Sequence, residues 1–440
     1  MTSERPSLPA VLYQAASRGV LPLTSRCNVQ CVFCSHGFNP PGVEVYTLPD
    51  LPRQDVVTML DWLNTDAKVV MGEATTRIKE GEPLLYAAVW DVLSRLREMH
   101  PQVTVQMTTN GSLLTQDAVE KLRDLNIELM VSLNSVDKKT RQRVMKESDP
   151  VAVPRNLKWL GVHDLCFEGS IVAMPHITGY EDIHETALFL AEHGARCIRI
   201  FEPGFTKRAP ASLLPSPDTR NHLADVVEKI SSRCGVPVLL EPSLPVDLRS
   251  VVTGVMPDSP AGQCGLRRGD RIVRIDGVPP FSRVEAFRLL GEEGCECIEL
   301  SDGRTLDWKP SAREGLIMDY DLDPDDIQDI QDAIEAYGAK RPLIVTSVRA
   351  KPLLNWGLSA GGQQALLLGV KPDFFGGSIA CTGLLTLGDI RQQLREAVIG
   401  HDLVLLPPKP FDAWGRDLLG EPYHVLESQL GIPCRIVGRR

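Results

Sequence analysis

The chain has 440 residues, of which 43% are apolar, and a formal net charge of −10 at pH 7. This length is enough for two or three domains with substantial cores, and the acidic balance, without a Lys/Arg-rich block, argues against nucleic acid as a partner. The 11 cysteines are odd in number and irregularly spaced, and we find neither a signal peptide nor a membrane-spanning apolar run. We therefore expect a soluble cytoplasmic protein with no membrane partner.

Strand-like and helix-like segments alternate through the first half of the chain. A short helix at residues 9–16 precedes a predicted strand at residues 20–24. Further strands are predicted at residues 68–71, 103–107, 127–133, 165–173, 197–201 and 236–240, with helices at residues 54–64, 84–99, 115–125, 183–193 and 218–234. Such alternation indicates an α/β fold of parallel strands joined by right-handed crossovers.

The loop after the first predicted strand carries three cysteines, Cys27, Cys31 and Cys34, at the spacing CxxxCxxC. A 4Fe-4S cluster normally takes four cysteinates, so a loop that supplies three leaves one iron open to an exogenous ligand. One alternative is a zinc site, but this needs four ligands, usually as two close pairs, and the next cysteine is Cys166. The other alternative is three ordinary core thiols.

This loop resembles that of the radical SAM superfamily, including Asn28 after the first cysteine and Phe33 before the third. The resemblance implies an incomplete (β/α)6 barrel over about residues 15–240, with a 4Fe-4S cluster on the three cysteines. It also implies that S-adenosylmethionine binds the open iron and is cleaved to a 5'-deoxyadenosyl radical, and that an electron donor such as flavodoxin or ferredoxin reduces the cluster.

Ligands of parallel α/β folds lie at the carboxyl ends of the strands. After the second strand, Gly81, Glu82 and Pro83 belong to an EGEP segment that resembles the superfamily's GGEP motif, whose backbone carbonyls bind the methionine ammonium. Gly72 and Glu73 are an alternative location for this function. The resemblance therefore assigns one of the two segments to S-adenosylmethionine.

Two more strand ends carry polar residues. Thr108 and Asn110 follow the third strand, and Ser132 and Asn134 follow the fourth, at positions where superfamily members contact the carboxylate and ribose of S-adenosylmethionine. Each of these residues is equally compatible with a turn or a helix cap. Three polar residues near later strand ends are candidate substrate contacts, namely Glu168, His176 and Glu202. The alternative is that these side chains are simply solvated.

A second domain is predicted at residues 241–312, where short β-like runs replace helices. Residues 251–281 contain the pattern SPA…GL…GD.I..I.G, which resembles a PDZ domain. Residues 282–290 should form the helix beside the peptide groove, lined by Val284, Phe287 or Leu290. Residues 297–300 and 306–308 should form a closing hairpin.

PDZ domains bind peptides by strand addition and capture the terminal carboxylate, so we expect a peptide or protein partner. The carboxylate loop would fall at residues 248–252, which lack glycine, and a purely architectural module is the alternative.

Residues 313–440 are predicted to form a C-terminal α/β domain. Its acidic run at residues 319–332 is predicted to be a surface helix, because calcium loops need a defined spacing and a turn glycine. Strands are predicted at residues 343–348, 376–385, 401–407 and 433–438, with helices at residues 362–368, 387–398 and 423–430. The segments GGSIACTGLLTLGDI and DLVLLPPKPF resemble the C-terminal domain of a bacterial and archaeal family of radical SAM-PDZ iron-sulfur oxidoreductases, which implies no particular reaction.

Two details of the C-terminal domain bear on ligands. Thr382, Gly383 and Thr386 lie before a predicted helix start, where free N–H groups favour an anion, and an ordinary helix cap is the alternative. Cys381 and Cys434 lie in apolar segments and are expected to be buried thiols, since an auxiliary cluster would need about four neighbouring cysteines.

Two classes of function remain open. The first is an enzyme that abstracts hydrogen from an unidentified substrate, with a peptide or protein as one candidate. The second is an iron-sulfur scaffold or maturation factor whose PDZ domain docks a partner protein. A delivery protein has no need of the ordered motifs EGEP, TTNG and SLNS, so the enzyme is favoured, although the sequence identifies no catalytic residue.

Overall fold

The protein is described from a computed structural model that covers residues 7–35, 37–73, 77–362 and 365–438. The chain divides into two compact units. The first consists of the described residues within Met1–Phe38, Glu44–Gly204 and Pro210–Glu241, and the second of those within Asn39–Val43, Phe205–Ala209 and Pro242–Arg440. No helix in the described ranges is both long and apolar enough to span a bilayer.

The first unit alternates strands and helices. Its strands are β1 (Tyr46–Thr47), β2 (Val69–Met71), β3 (Ile78–Lys79), β4 (Val105–Thr109), β5 (Ile127–Ser132), β6 (Phe167–Val172), β7 (Ala195–Phe201) and β8 (Val238–Glu241). Its α-helices are α1 (Leu8–Ala16), α2 (Arg53–Met59), α3 (Val89–Met99), α4 (Gln116–Asp124), α5 (Lys138–Val144), α6 (Ala152–Asn156), α7 (Lys158–Val162), α8 (Pro175–Thr178), α9 (Tyr180–Glu192) and α10 (Thr219–Cys234). Short 3-10 helices span Leu60–Trp62, Pro83–Leu85 and Ala211–Leu213.

Six parallel strands form the main sheet in the order β2-β4-β5-β6-β7-β8. Because neighbours in the sheet follow one another along the chain, every crossover runs in the same direction, as in an incomplete barrel. The predicted α/β fold is confirmed. The strand predicted at residues 20–24 is wrong, since only Val20 bridges to Val70 before the chain leaves the sheet edge.

The two faces of this sheet differ in polarity, because side chains alternate along each strand. One face, with Met107, Val131 and Ile198, is buried together with apolar side chains of α3, α4, α9 and α10. The opposite face carries polar side chains on five neighbouring strands, namely Gln106, Thr108, Ser132, Glu168, Ser170, Arg199 and Glu241. We call it the polar face. A face of this kind is available to ligands rather than to helices.

The second unit begins with a β-rich region. It contains β9 (Val252–Val255), α11 (Pro260–Gln263), β10 (Ile272–Ile275), α12 (Arg283–Leu289), β11 (Cys297–Leu300), β12 (Thr305–Asp307), a 3-10 helix at Pro310–Arg313 and β13 (Leu316–Met318). Strands β10, β11 and β12 form an antiparallel sheet, and β9 pairs with β13. The predicted groove helix and closing hairpin are confirmed. Strand β13 lies beyond residue 312, so the paired strands of this region extend to Met318.

The rest of the second unit is a parallel α/β domain. It contains α13 (Pro324–Ala336), β14 (Pro342–Ser347), α14 (Lys351–Ala360), β15 (Leu366–Val370), a 3-10 helix at Thr382–Leu384, α15 (Leu387–Ala397), β16 (Leu403–Leu406), α16 (His424–Leu430) and β17 (Cys434–Ile436). The sheet order is β15-β14-β16-β17. The acidic run does form a helix, because Ile327, Ile330 and Ile334 bury one of its faces. Cys434 is buried in the domain core, as expected.

Two predicted elements of this domain are wrong. Residues 366–368 belong to strand β15 instead of a helix, and residues 363 and 364 lie outside the described ranges. A short continuous apolar run does not distinguish a buried parallel strand from a helix. The strand predicted at residues 376–385 is absent, since Gly376 and Gly377 have φ angles of +59° and +64° and Thr382–Leu384 form a 3-10 helix. This loop instead contacts the segment Phe205–Ala209, and Lys207 N donates a hydrogen bond to Phe375 O at 2.8 Å.

Candidate cofactor site

The three cysteines of the CxxxCxxC motif lie on one tight loop. Cys34 N donates to Cys31 O at 3.1 Å, and the side chains of Cys27 and Cys34 are exposed while that of Cys31 is half-buried. No three His, Cys, Asp or Glu side chains of the described part converge on a single ion position. A cubane cluster does not require this, because each thiolate binds a different iron. Three accessible thiols on one short loop therefore fit a cluster with one open iron.

The protonation of these thiols depends on their burial. Burial raises the pKa of the Cys27 thiol and raises that of Cys31 to about 12. The neighbouring thiols add to both shifts, since closely spaced thiolates repel one another. In the metal-free protein these groups are therefore protonated at neutral pH, and metal binding must release protons.

The cysteine loop is held from one side by the end of α5. Gln30 N donates to Met145 O and Val32 N donates to Val144 O, each at 2.8 Å. These bonds align the middle of the loop with the residues that end α5. The loop is thus part of a paired backbone structure.

A buried ion pair fixes the position of α5. Arg141 is fully buried, and its Nε lies 2.7 Å from Glu147 Oε2, which is also buried. The same guanidinium donates to the carbonyl oxygens of Leu133 and Ser135. Arg141 therefore connects the end of β5 to the helix that supports the cysteine loop.

From the other side, the loop is held by the EGEP segment. Gly81 N donates to Thr24 O and Glu82 N donates to Arg26 O, each at 2.8 Å. A Cβ placed on Gly81 would lie 2.0 Å from Arg26 O. A side chain at this position would displace the backbone that leads directly into Cys27, and this contact explains the glycine.

The Glu82 side chain connects two motifs. It is 2% exposed, and its carboxylate accepts hydrogen bonds from Thr109 Oγ1 and Asn110 N, both at 2.7 Å, and from Leu84 N at 3.4 Å. Burial raises the pKa of the Glu82 carboxyl, and the three donated hydrogen bonds oppose this. Thr109, which the sequence reasoning missed, is the side-chain partner of Glu82. The sequence signal for this link is that EGEP and TTNG follow successive strands of the predicted sheet.

Asn110 extends the network to the cysteine loop. Its Nδ2 donates to Asn28 Oδ1 at 2.8 Å and lies 3.9 Å from Cys27 Sγ. Its Oδ1 accepts from Ser112 Oγ at 2.6 Å, and Ser112 Oγ in turn accepts from Asn28 Nδ2 at 2.8 Å. Asn28, Asn110 and Ser112 thus form a ring of hydrogen bonds beside the first cysteine.

The Ser132 and Asn134 positions separate into two kinds. Asn134 is buried and has a φ of +62°. Its Oδ1 accepts from Val172 N at 2.9 Å and its Nδ2 donates to Ser132 O at 3.3 Å, so it ties the end of β5 to β6. Ser132 lies on the polar face and is half-buried. Of the two side chains, that of Ser132 is the one placed to meet a ligand.

The polar face carries a group of charges. Arg199 Nε lies 2.7 Å from Glu168 Oε2, and its Nη1 lies 2.6 Å from Glu241 Oε1. Burial raises the pKa of Glu73, and burial together with repulsion from Glu73 raises the pKa of Glu80 to about 8. Two carboxylates therefore flank one guanidinium on the polar face, and a second pair of carboxyl groups, Glu73 and Glu80, has raised pKa values.

The three candidate substrate residues have different surroundings. Glu168 is paired with Arg199, as described above. Glu202 forms an ion pair with Arg220, and its backbone N donates to Glu241 O at 2.8 Å. His176 is exposed on α8. The structure thus places two of the three in ion pairs and one in solvent.

The carboxylate end of the peptide groove in the β-rich region is not where the sequence predicted it. Helix α12 packs against β13, and β13 pairs, among the described residues, with β9 alone. The strand edge beside α12 therefore belongs to β13, and the loop that leads into it contains Gly315, with a φ of +81°. The prediction of residues 248–252 as the carboxylate loop is wrong, because Val252 pairs within β9 and β13.

The lining of this groove also needs one correction. Leu290 is fully buried in the core and does not line the groove, whereas Phe287 is 36% exposed. The Arg313 guanidinium lies 4.8 Å from the centre of the Phe287 ring. An exposed aromatic ring covered by a cation therefore stands beside the loop before β13.

Of the two alternatives for the helix start near Thr386, an anion site and an ordinary helix cap, the structure shows the cap. Thr386 and Asp389 form a reciprocal capping box, and Leu387 N donates to Asp417 Oδ2 at 2.7 Å. Carboxylates thus occupy the donors of the first turn of α15. The helix-cap alternative is the one that the structure shows.

Two domain families match the chain. Residues 21–190 match the radical SAM superfamily, and residues 251–300 match a PDZ domain. The first range contains the cysteine loop, the EGEP and TTNG segments and the end of β5. The second contains β9, α11, β10, α12 and β11.

Curated relatives share the first of these regions. The GTP 3',8-cyclase of Petrotoga mobilis is 28% identical over 127 residues, which are 29% of this chain and 37% of the relative. The GTP 3',8-cyclase of Limosilactobacillus fermentum is 31% identical over 114 residues, 26% of this chain and 32% of the relative. The chain thus spans between about a third and a half of the length of the curated relatives that it matches.

Among solved structures, Streptococcus suis SuiB bound to its precursor peptide SuiA superposes with a TM-score of 0.41 at 19% identity, over 50% of this chain and 48% of that chain. Members of the radical SAM superfamily are enzymes whose cofactors are a 4Fe-4S cluster and S-adenosylmethionine. The chain therefore carries a radical SAM domain at residues 21–190, followed by a PDZ domain at residues 251–300.

Proposed function

We propose that this chain cleaves S-adenosylmethionine reductively and abstracts hydrogen from a substrate, with Cys27, Cys31 and Cys34 as the ligands of the cluster. The cluster and S-adenosylmethionine, when bound, supply a 5'-deoxyadenosyl radical. The observation that supports this best is the support of the cysteine loop, which α5 and the EGEP segment hold from two sides. An electron donor such as flavodoxin or ferredoxin belongs to the same proposal.

The residues around the loop divide into contacts and supports. In this proposal, the backbone of residues 81–83 and the side chains of Thr108 and Ser132 contact S-adenosylmethionine. Glu82, Asn110 and Asn134 act through other residues, because their side chains are occupied by protein hydrogen bonds. Such supports hold contact groups in place before the ligand arrives.

A peptide or protein is the substrate class that we propose. A PDZ domain in the same chain provides a strand edge, that of β13, to which an extended peptide can add. The polar face of the first unit, with its excess of carboxyl groups, favours a substrate segment that carries a positive charge. The first feature favours a peptide, and the second favours a positive charge on it.

Anaerobic incubation of reconstituted protein with S-adenosylmethionine and dithionite tests the proposal. We expect 5'-deoxyadenosine from the native protein and from Cys166→Ala, which changes an exposed cysteine outside the loop, but none from Cys31→Ala. Deuterated candidate peptides would then show where the abstracted hydrogen originates. A native protein that holds its cluster, forms no 5'-deoxyadenosine and passes the cluster to an apo-acceptor would be the iron-sulfur scaffold instead.

A further inference from the structure

Four cations gather at the carboxyl edge of the C-terminal parallel sheet. Arg349 and Lys351 follow β14, Lys371 follows β15 and Lys409 follows β16, and all four are exposed. Within the described ranges, none of the four has a carboxylate at ion-pair distance. In a chain of net charge −10, an edge that collects four cations outside ion pairs, with Asp326 as the acidic group that shares a pocket with Lys409, attracts anions.

A loop connects two of these cations. Thr382 Oγ1 donates to Ser347 Oγ at 2.9 Å, which holds the loop against the end of β14. Cys381, expected to be a buried thiol, is exposed, and the Arg349 guanidinium is near enough to lower its pKa, although burial raises it more. A Cβ placed on Gly383 would lie 3.8 Å from Lys409. The loop 381–383 therefore runs between Arg349 and Lys409.

The topology of the sheet places a ligand at the same edge. The chain leaves β14 toward β15 on one side, and β16 returns to the other side of β14. In open α/β sheets, ligands bind in the crevice outside the carboxyl ends of the strands at such a reversal. Helix α14 also begins here at Lys351 with no side-chain cap on its first turn, so its N-terminus adds a favourable dipole for an anion.

A pocket opens beside Lys409. Its volume is about 130 Å³, which is close to that of the cavities of about 150 Å³ that hold benzene in protein cores. The lining is mostly apolar and includes Asp326, Ile330, Thr346, Leu354, Leu406 and Lys409. A ring-sized apolar group fits this space, and Lys409 stands where a charged substituent would emerge.

We propose that this edge binds a small phosphorylated molecule. Its phosphate lies between Arg349 and Lys409, and its apolar part enters the pocket beside Lys409. A phosphate suits these groups because it accepts several charge-assisted hydrogen bonds at once. This site belongs to the second unit and the cofactor site to the first, and the proposal does not depend on the proposed radical chemistry.

Isothermal titration of the full-length protein with inorganic phosphate and with phenyl phosphate tests this proposal. We expect Arg349→Gln and Lys409→Gln each to weaken binding of phenyl phosphate by about tenfold or more, the usual range for a lost charge-assisted hydrogen bond. Matched controls are Lys340→Gln and Arg395→Gln, which remove exposed cations before β14 and near the end of α15. Both controls should bind as the native protein does, and thermal melting should show all four variants folded.

Three results would overturn the proposal. The first is native protein that binds neither probe at millimolar concentration. The second is an equal loss of affinity in the control variants, which would mean attraction to diffuse charge. The third is equal affinity for inorganic phosphate and phenyl phosphate, which would remove the pocket from the site.

Discussion

The recognition groups of the two compact units are organised in opposite ways. In the first unit, the polar residues at the strand ends bond to one another and to the cysteine loop, as the contacts of Glu82 with Thr109 and Asn110 show. In the second unit, the edge of β13 and the cations after β14 and β16 have no such partners among the described residues. The groups that bind a permanent cofactor are held by protein hydrogen bonds before binding. The groups that bind an exchanging ligand are left without such bonds, so that the ligand can take them up.

This contrast has a consequence for mutations. A change in the first unit should affect cofactor loading and folding stability together, because the same bonds serve both. A change in the second unit should affect ligand binding while leaving stability nearly unchanged. The predictions below test this difference, beginning with the largest effect.

Replacing Cys27, Cys31 or Cys34 with Ala should abolish the brown 4Fe-4S absorbance, because a loop with two thiolates holds the cluster too weakly. Cys166→Ala should retain it. Iron and sulfide quantitation after anaerobic reconstitution decides the matter, and a comparable iron loss in Cys166→Ala would show that the ligands are misidentified.

Gly81→Ala should reduce both cluster content and stability. The added Cβ would lie 2.0 Å from Arg26 O, in the backbone that leads into Cys27, so the loop must shift. We expect a loss of several kcal/mol in the free energy of unfolding, within the upper range for single substitutions, measured by urea titration.

Gly161→Ala is the matched control. A Cβ at Gly161, in α7, meets nothing within 4 Å, and alanine favours a helix by up to about 1 kcal/mol. The control should therefore be neutral or slightly stabilising. Equal stability of the two variants would contradict the close contact between the EGEP segment and the cysteine loop.

The sequence predicted these regions unequally. The main sheet and most helices were predictable because their apolar periodicity is long and regular. The cysteine loop was recognisable from spacing alone. The partners of Glu82 and Asn110 were not, because they join segments about 30 to 80 residues apart, and a motif does not state which of its groups face the ligand and which face the protein.

More of the second unit could not be predicted from the sequence. The run at residues 366–370 is buried as a parallel strand, where strand and helix patterns look alike. The groove strand β13 was missed because it follows the closing hairpin instead of preceding β9, and the recognised pattern lies before that hairpin. The four cations are scattered along the sequence from Arg349 to Lys409, and only the strand order brings them to one edge.

Stability should also depend on pH through Glu80. Burial raises its pKa to about 8 in the folded state, above the unfolded value near 4.5, so the folded state binds more protons between these pH values. Stability should therefore fall as the pH rises from about 5 to about 8, by up to ~1.4 kcal/mol per pH unit.

Glu80→Gln should flatten this slope, while Glu335→Gln, at an exposed position on α13, should leave it unchanged. Urea unfolding at pH 5.5, 6.5 and 7.5 provides the measurement. Parallel slopes for native protein and Glu80→Gln would mean that Glu80 is ionised in the folded state throughout this range.

The smallest effect on stability, and the clearest test of the contrast, concerns the PDZ groove. Phe287 is partly exposed on α12 and is covered by the Arg313 guanidinium, beside the loop that enters β13. Because a C-terminal peptide adds along a strand edge with its last side chain against the groove helix, Phe287→Asp should weaken binding of a C-terminal peptide library by about tenfold or more, through burial of a charge. Fluorescence polarisation measures this, with Tyr337→Asp on the C-terminal domain as an exposed aromatic control.

The free energy of unfolding of Phe287→Asp should change by less than about 1 kcal/mol, because the ring contributes little to the core. A large loss of stability would mean that Phe287 supports the fold, as the hydrogen-bonded residues of the first unit do. A native protein that binds no peptide in the library would make the PDZ domain an architectural spacer.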